Sequence, residues 1–234
     1  MKFFHSVFIV LFAVTLMAGC TCSRERYVIP KTPGSTPIRG IDISHHNIIN
    51  DWSDVAEDGV SFVFAKATEG ATYQDNKFTG SIRGARAAGL KVGAYHFLTT
   101  SSSATAQFDN FKSVVKKSDI DLCPVLDAEI MTKGHAMTDK EYVKHVRTWV
   151  DLCKAHYGKA PILYCSIEHY RKYFKGHFKD CKFWCGDVDA KKSYADLVHW
   201  VMWQYTIGPV KGSAGYLDLN MLGPGVKLTD LYLK

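Results

Sequence analysis

The sequence lacks most of the short motifs that announce a reaction. No GxSxG elbow presents a nucleophilic serine, no GxxxxGK loop cradles phosphate, and no GxGxxG opens a helix. The usual serine-hydrolase, kinase and dehydrogenase signatures are therefore missing. Basic runs are also scarce. The longest are pairs such as Lys116-Lys117 and Lys191-Lys192, too short to track a phosphate backbone, so no nucleic acid partner is expected. Seven cysteines include no CxxC pair, which argues against a zinc site. No apolar run approaches the ~20 residues that cross a bilayer. Disorder is excluded by what is present, 47% hydrophobic residues against a net charge of only +6. At 234 residues one core can close into one domain.

The N-terminus reads as an export signal. Lys2 precedes an apolar run from Val7 to Ala18, interrupted only by Thr15. The segment Leu16-Met17-Ala18-Gly19-Cys20 then resembles a bacterial lipobox, in which the cysteine is diacylated and becomes the first residue. Residues 1–19 are expected to be a lipoprotein-type signal peptide and Cys20 the lipidation site that anchors the chain to a membrane. An ordinary signal cut near Ala18 is the other reading. Thr21 differs from the aspartate that retains lipoproteins at an inner membrane, so the expectation is an exported outer-membrane lipoprotein. Residues 20–37 hold Pro30, Pro33 and Pro37 and read as a tether of at most about 60 Å. The folded domain is expected over residues 38–234, as a monomer. Its mild positive charge suits an anionic polymer such as a cell wall. Six further cysteines remain: Cys22, Cys123, Cys153, Cys165, Cys181 and Cys185. Cys181 and Cys185 are near enough to close a local loop, while Cys123 and Cys165 sit in apolar runs as small core residues.

From Ile38 onward, short apolar β-branched runs alternate with helical patterns and show no internal repeat. Strands are expected at Ile38–Ser44, Val60–Ala67, Lys91–Phe97, Leu122–Glu129, Ala160–Ser166, Lys182–Asp187 and His199–Thr206. Continuous apolar runs of this kind suit a parallel sheet covered on both faces. Phe78, Ile82 and Ala85 mark one helix, closed by Gly89, and Ala104, Phe108, Phe111 and Val115 mark another. Thr138 with Glu141 forms a capping box ahead of Tyr142, Val146, Trp149, Val150 and Cys153. The alternation implies an α/β fold, either a (β/α) barrel or a doubly wound sheet. Beyond Trp184 the helical signals fade.

The most informative run is Cys123-Pro124-Val125-Leu126-Asp127-Ala128-Glu129. On a strand, carboxylates at i and i+2 face the same side, and the strand's C-terminal end is where α/β barrels place active sites. Crowding should raise one pKa and leave the other group ionised, as acid-assisted glycoside hydrolysis requires. The alternative is a helix cap or a cation site. Asp42 and Asp218 are lone acids between apolar neighbours, and they suit a wet cleft better than a core. If Ile41 and Ile43 face the helices, Asp42 faces the barrel interior. Aromatic residues end the same strands: Tyr95, His96 and Phe97, then Tyr164, then Trp203 and Tyr205. Such walls suit the apolar faces of sugar rings. His45, His46 and His96 include no i, i+4 pair followed by a carboxylate, so cleft lining is favoured over metal ligation.

Taken in order, four blocks resemble the lysozymes of glycoside hydrolase family 25, the Chalaropsis-type muramidases. They are GIDISH (40–45), FAKATEGATYQDNKFTGSIRGARAAGLKVGAYHF (64–97), PVLDAE (124–129) and WQYTIGPVKGSAGYLDLN (203–220). The resemblance implies an irregular TIM-like barrel of about eight strands and five helices. It also implies cleavage, with retention, of the β-1,4 bond between N-acetylmuramic acid and N-acetylglucosamine, with peptidoglycan as partner and neither metal nor organic cofactor. By position, Glu129 looks like the general acid/base. Asp127 looks like its partner, which holds the 2-acetamido group or stabilises a cationic intermediate. Asp42 and Asp218 match two further catalytic acids, and Tyr95, His96, Tyr164, Trp203 and Gln204 are the expected substrate-binding residues. His46 and Ser81 depart from residues frequent in the family. The rival readings are a glycosidase acting on another N-acetylated polymer such as chitin, and a catalytically silent wall-binding module.

Overall fold

A computed structural model of the chain describes residues 38–129, 136–187 and 200–234. The segments expected to be a signal and a tether, with Cys20 and Cys22, lie outside the described residues. In chain order the strands are β1 (Arg39–Ile43), β2 (Ile48–Ile49), β3 (Val60–Glu69), β4 (Tyr73–Gln74), β5 (Lys91–Phe97), β6 (Val125–Asp127), β7 (Ile162–Cys165), β8 (Lys182–Cys185), β9 (Trp200–Pro209), β10 (Ser213–Ala214) and β11 (Tyr216–Leu222). The helices are α1 (Trp52–Glu57), α2 (Phe78–Ala87), α3 (Ala104–Val114), α4 (Asp139–Tyr157) and the short α5 (Ile167–His169).

Eight of these strands close a barrel in the order β1, β3, β5, β6, β7, β8, β9, β11. All neighbours run parallel from β1 through β9, and β11 returns antiparallel between β9 and β1. The reversal has a chain-length cause. A parallel step needs a crossover, whereas β9 reaches β11 through a tight connection that contains only β10, so the chain doubles back. The fold is thus the expected irregular α/β barrel, with a mixed rather than wholly parallel sheet.

Two packed layers follow from the alternation of side chains. Ile41, Val63, Ala94, Leu126 and Leu163 face outward against the helices. Phe62, Phe64, Val125, Ile162, Trp184 and Met202 fill the lower barrel. Two interior glycines make that filling possible. A Cβ on Gly40 would lie 2.1 Å from the Phe62 ring, and one on Gly93 would lie 2.2 Å from Phe64. The plug holds the chemistry at the upper end. Helix α4 carries the predicted capping box: Glu141 N donates to Thr138 Oγ1, and Thr138 N donates to Glu141 Oε2 at 2.8 Å.

Some strand limits differ from expectation. The run Leu122–Glu129 shortens to β6, because Leu122 bridges to Tyr232 and Glu129 lies beyond the ladder. Strand β9 extends past Thr206 to Pro209 through its pairing with β11, and His199 lies outside the described residues. Cys123, Cys153, Cys165, Cys181 and Cys185 are all buried.

Candidate active site

Ladder register and period-two alternation decide which side chains share the upper barrel. Asp42 on β1 sits directly opposite Asp218 on β11, so residues far apart in sequence become cross-strand neighbours. Asp127 on β6 stands level with Phe97 on β5 and Tyr164 on β7. Together with Glu129 these groups line a cavity of about 290 Å³, whose walls also include Lys66, Tyr95, Trp184 and Gln204.

Glu129 is placed by its neighbour rather than by the strand. The Ala128 amide donates to Tyr164 O at 3.0 Å, and Tyr142 Oη donates to Ala128 O at 2.9 Å. His169 Nε2 lies 3.0 Å from the Tyr142 hydroxyl and donates to it, since the hydroxyl proton is already committed. With both polar groups of Ala128 held, the loop is clamped between its two acids. Burial, followed by the nearby Asp187, raises the Glu129 pKa.

The other acids are raised as well. Burial and the facing Asp218 push Asp42 up to about 7, against the amide donors of Asn220 and Gln204, which favour its ionised form. Those donors reach Asp42 Oδ2 at 2.7 and 3.0 Å. Gln204 in turn accepts from Tyr164 Oη at 2.9 Å, and Trp184 Nε1 donates to Asn220 Oδ1 at 2.9 Å. Asp127 is raised well above the ordinary carboxylate range, first by burial and then by Glu129 and Asp42. Its Oδ1 is buried and receives no hydrogen bond from the described residues. Burial also raises Asp218. Lys66 brings the compensating charge, with its Nζ 2.6 Å from Glu69 and 5.0 Å from the centre of the Phe97 ring. Asp127 and Glu129 are thus both raised, where only one was expected to be, because both are buried and Glu129 adds its charge against Asp127. Carboxyls crowded in this way can supply a proton and, once ionised, stabilise positive charge.

Two expected substrate contacts do not line this cavity. His96 faces outward, because Tyr95 and Phe97 on either side of it face in. It donates from Nε2 to Gln107 Oε1 at 3.2 Å, accepts from Thr68 Oγ1 at 2.7 Å and stacks on Trp149. Burial pushes its pKa down to about 4, so it is a neutral core residue. Trp203 likewise alternates with the inward Gln204; it is buried in the outer layer and donates to Asp187 O at 2.8 Å. His45 lies outside the cavity, its amide and Nδ1 tied to Asp75 Oδ2 at 2.9 and 3.0 Å. Phe97, one of the expected aromatic wall residues, does line the cavity, whereas sequence reasoning missed Lys66 and Trp184. Lys66, a single charge inside an apolar strand, carried the same signal as Asp42. Trp184 carried none, since apolar residues flank it on both sides.

A closed α/β barrel whose strand ends gather carboxylates of raised pKa between aromatic walls defines a glycoside hydrolase. The comparisons agree. The profile of Glycosyl hydrolases family 25 matches residues 41–212, and the chain belongs to that family. Lysozyme M1 of Streptomyces globisporus is 32% identical over 197 residues, covering 78% of this chain and 67% of the relative. YegX of Escherichia coli K12 is 32% identical over 203 residues, covering 84% and 74%. The crystal structure of a bacterial lysozyme from Streptomyces coelicolor superposes with a TM-score of 0.74 at 28% identity, covering 84% of this chain and 96% of that one.

Proposed function

We propose that the protein is a muramidase that cleaves the β-1,4 bond between N-acetylmuramic acid and N-acetylglucosamine in peptidoglycan, with retention. The observation that carries this reading is the convergence of Asp42, Asp127, Glu129 and Asp218 in one cavity walled by Tyr95 and Tyr164. Relatives named as lysozymes support it.

Glu129 is the general acid. Burial and the nearby Asp187 raise its pKa, which favours the protonated carboxyl an acid needs, and its partial exposure lets that proton reach a leaving glycosidic oxygen. Once the proton has gone, the carboxylate takes one from an incoming water and is restored. Asp127 faces the developing positive charge of the sugar ring, and its unpartnered Oδ1 is placed to accept from a substrate N–H such as that of the 2-acetamido group. Asp42, held by two amides, and Asp218 add negative charge beside that cation once they ionise. The aromatic walls receive the apolar faces of the sugars.

The test is to digest purified peptidoglycan with the protein and with Glu129→Gln, reduce with borohydride and identify the ends by mass spectrometry. Reduced N-acetylmuramic acid from the wild type, with turnover lower by about 10² to 10⁴ in the variant, supports the reading. Near-normal turnover of the variant sinks the acid assignment. Reduced N-acetylglucosamine ends mean a different bond, cleavage of chitin instead means a different polymer, and no new ends mean a binding module.

The same reading has the chain exported, lipidated on Cys20 and held at the outer membrane by the tether of residues 20–37, working there as a monomer. The lipobox-like segment supports the anchor. Cys20→Ser should move the protein from the membrane to the soluble fraction; a variant that stays bound refutes it.

A further inference from the structure

The cavity between the acids, about 290 Å³, is at the small end of ligand sites, which run from roughly 300 Å³ upward. A glycan strand is far longer than such a cavity, so the sugars flanking the cleaved pair must rest on surface outside it. The ladders point to one such surface. Asp42 is opposite Asp218, and Asp218 is opposite Ile207, so these three residues form a single row across β1, β11 and β9 on the cleft side. Tyr216 precedes Asp218 by two residues on β11 and shares its face. Ile207 and Tyr216 are 56% and 69% exposed, and both lie on the hairpin that continues the acid-bearing sheet past the cavity.

This hairpin is fastened at its tip. β10 pairs with β2, and the amides of Asn50 and Asp51 donate to Gly212 O at 2.8 and 3.1 Å. Lys211 Nζ lies 2.8 Å from both Asp54 Oδ1 and Glu57 Oε2. A Cβ on Gly212 would come within 2.2 Å of Asp51 O, and its φ is +81°. The hairpin therefore presents a fixed surface. Fixed, adjacent apolar side chains in register with the acids suit a ligand that leaves the cavity along the strands. A tyrosine offers a sugar both a flat apolar face and a hydroxyl.

We infer that Ile207 and Tyr216 form a distal glycan subsite, which takes the apolar face of an N-acetylated sugar of the same strand beyond the pair held between the acids. This inference rests on the muramidase reading for the identity of the glycan. It adds a length-dependent contact for which the chemistry has no need.

The test compares the full chain with Ile207→Ser/Tyr216→Ser on two substrates, long purified glycan strands and a short two-sugar aryl glycoside. KM on long strands should rise about tenfold, the usual scale for losing a contact worth ~1.4 kcal/mol. Turnover at saturation should hold, and the aryl glycoside should be unaffected. Tyr216→Trp should keep the wild-type KM. An unchanged KM on long strands, or equal losses on both substrates, overturns the inference. If the wild type cuts neither substrate, retention on immobilised glycan strands reads the subsite directly. Weaker retention of the double variant then supports the subsite while the muramidase reading fails, and equal or absent retention overturns both.

Discussion

Replacing Asp42 by Asn should make the protein more stable at neutral pH. The carboxyl of Asp42 is raised from an ordinary value of 3.8 to about 7, first by burial and then by Asp218. A group whose folded pKa lies above its unfolded one binds its proton more tightly when folded. The folded state is therefore favoured below pH 3.8, and that advantage is lost as pH rises through about 7. About three pH units at 1.36 kcal/mol each set a ceiling of about 4 kcal/mol on the loss. Asp42 keeps some solvent access and shares its titration with Asp218, so about 2 kcal/mol is the expected size. Asparagine accepts the bonds from Asn220 and Gln204 through its amide oxygen and places no charge against Asp218. Thermal unfolding at pH 7.5 should then show Asp42→Asn melting about 4–8 °C higher, at 2–4 °C per kcal/mol for a domain of this size. At pH 4 the gain should nearly vanish. A variant less stable at pH 7.5, or one with the same gain at both pH values, would refute the reasoning. The same logic makes the cleft a place where stability is given up for chemistry.

Three other outcomes follow from the packing and the network. Gly93→Ala sets a methyl 2.2 Å from the Phe64 ring inside the barrel and should cost about 1–3 kcal/mol in denaturant unfolding; a cost below 0.5 would mean the plug is loosely packed. Thr138→Ala removes the cap of α4 and should cost ~1 kcal/mol, read as a lowered urea midpoint with an unchanged slope. Asn220→Ala deletes the 2.7 Å donor to Asp42, so it should destabilise by about 2 kcal/mol at pH 8 and by clearly less at pH 4, where Asp42 holds its proton. Equal costs at the two pH values would mean Asn220 acts only through packing and Trp184.

Local rules carry the reading of the chain a long way. The alternation of strand and helix, the capping box at Thr138 and Glu141, and an acid between two isoleucines at Asp42 depend on neighbours within one turn or one pleat. They therefore survive in the sequence, as does the run that ends in Asp127 and Glu129. Barrel closure supplies the rest, because it acts between segments that are distant in the chain. It pairs Asp42 with Asp218, turns β11 against its neighbours and brings Trp184 into the cavity. It also assigns the two faces of each strand. Tyr95 and Gln204 look inward while the adjacent His96 and Trp203 are committed to the helix layer. Period two says that adjacent residues face opposite ways, but which of them meets the cleft depends on the side to which the sheet curls. The raised pKa values belong to the same category, since burial and facing charges exist only once the ring of strands is complete.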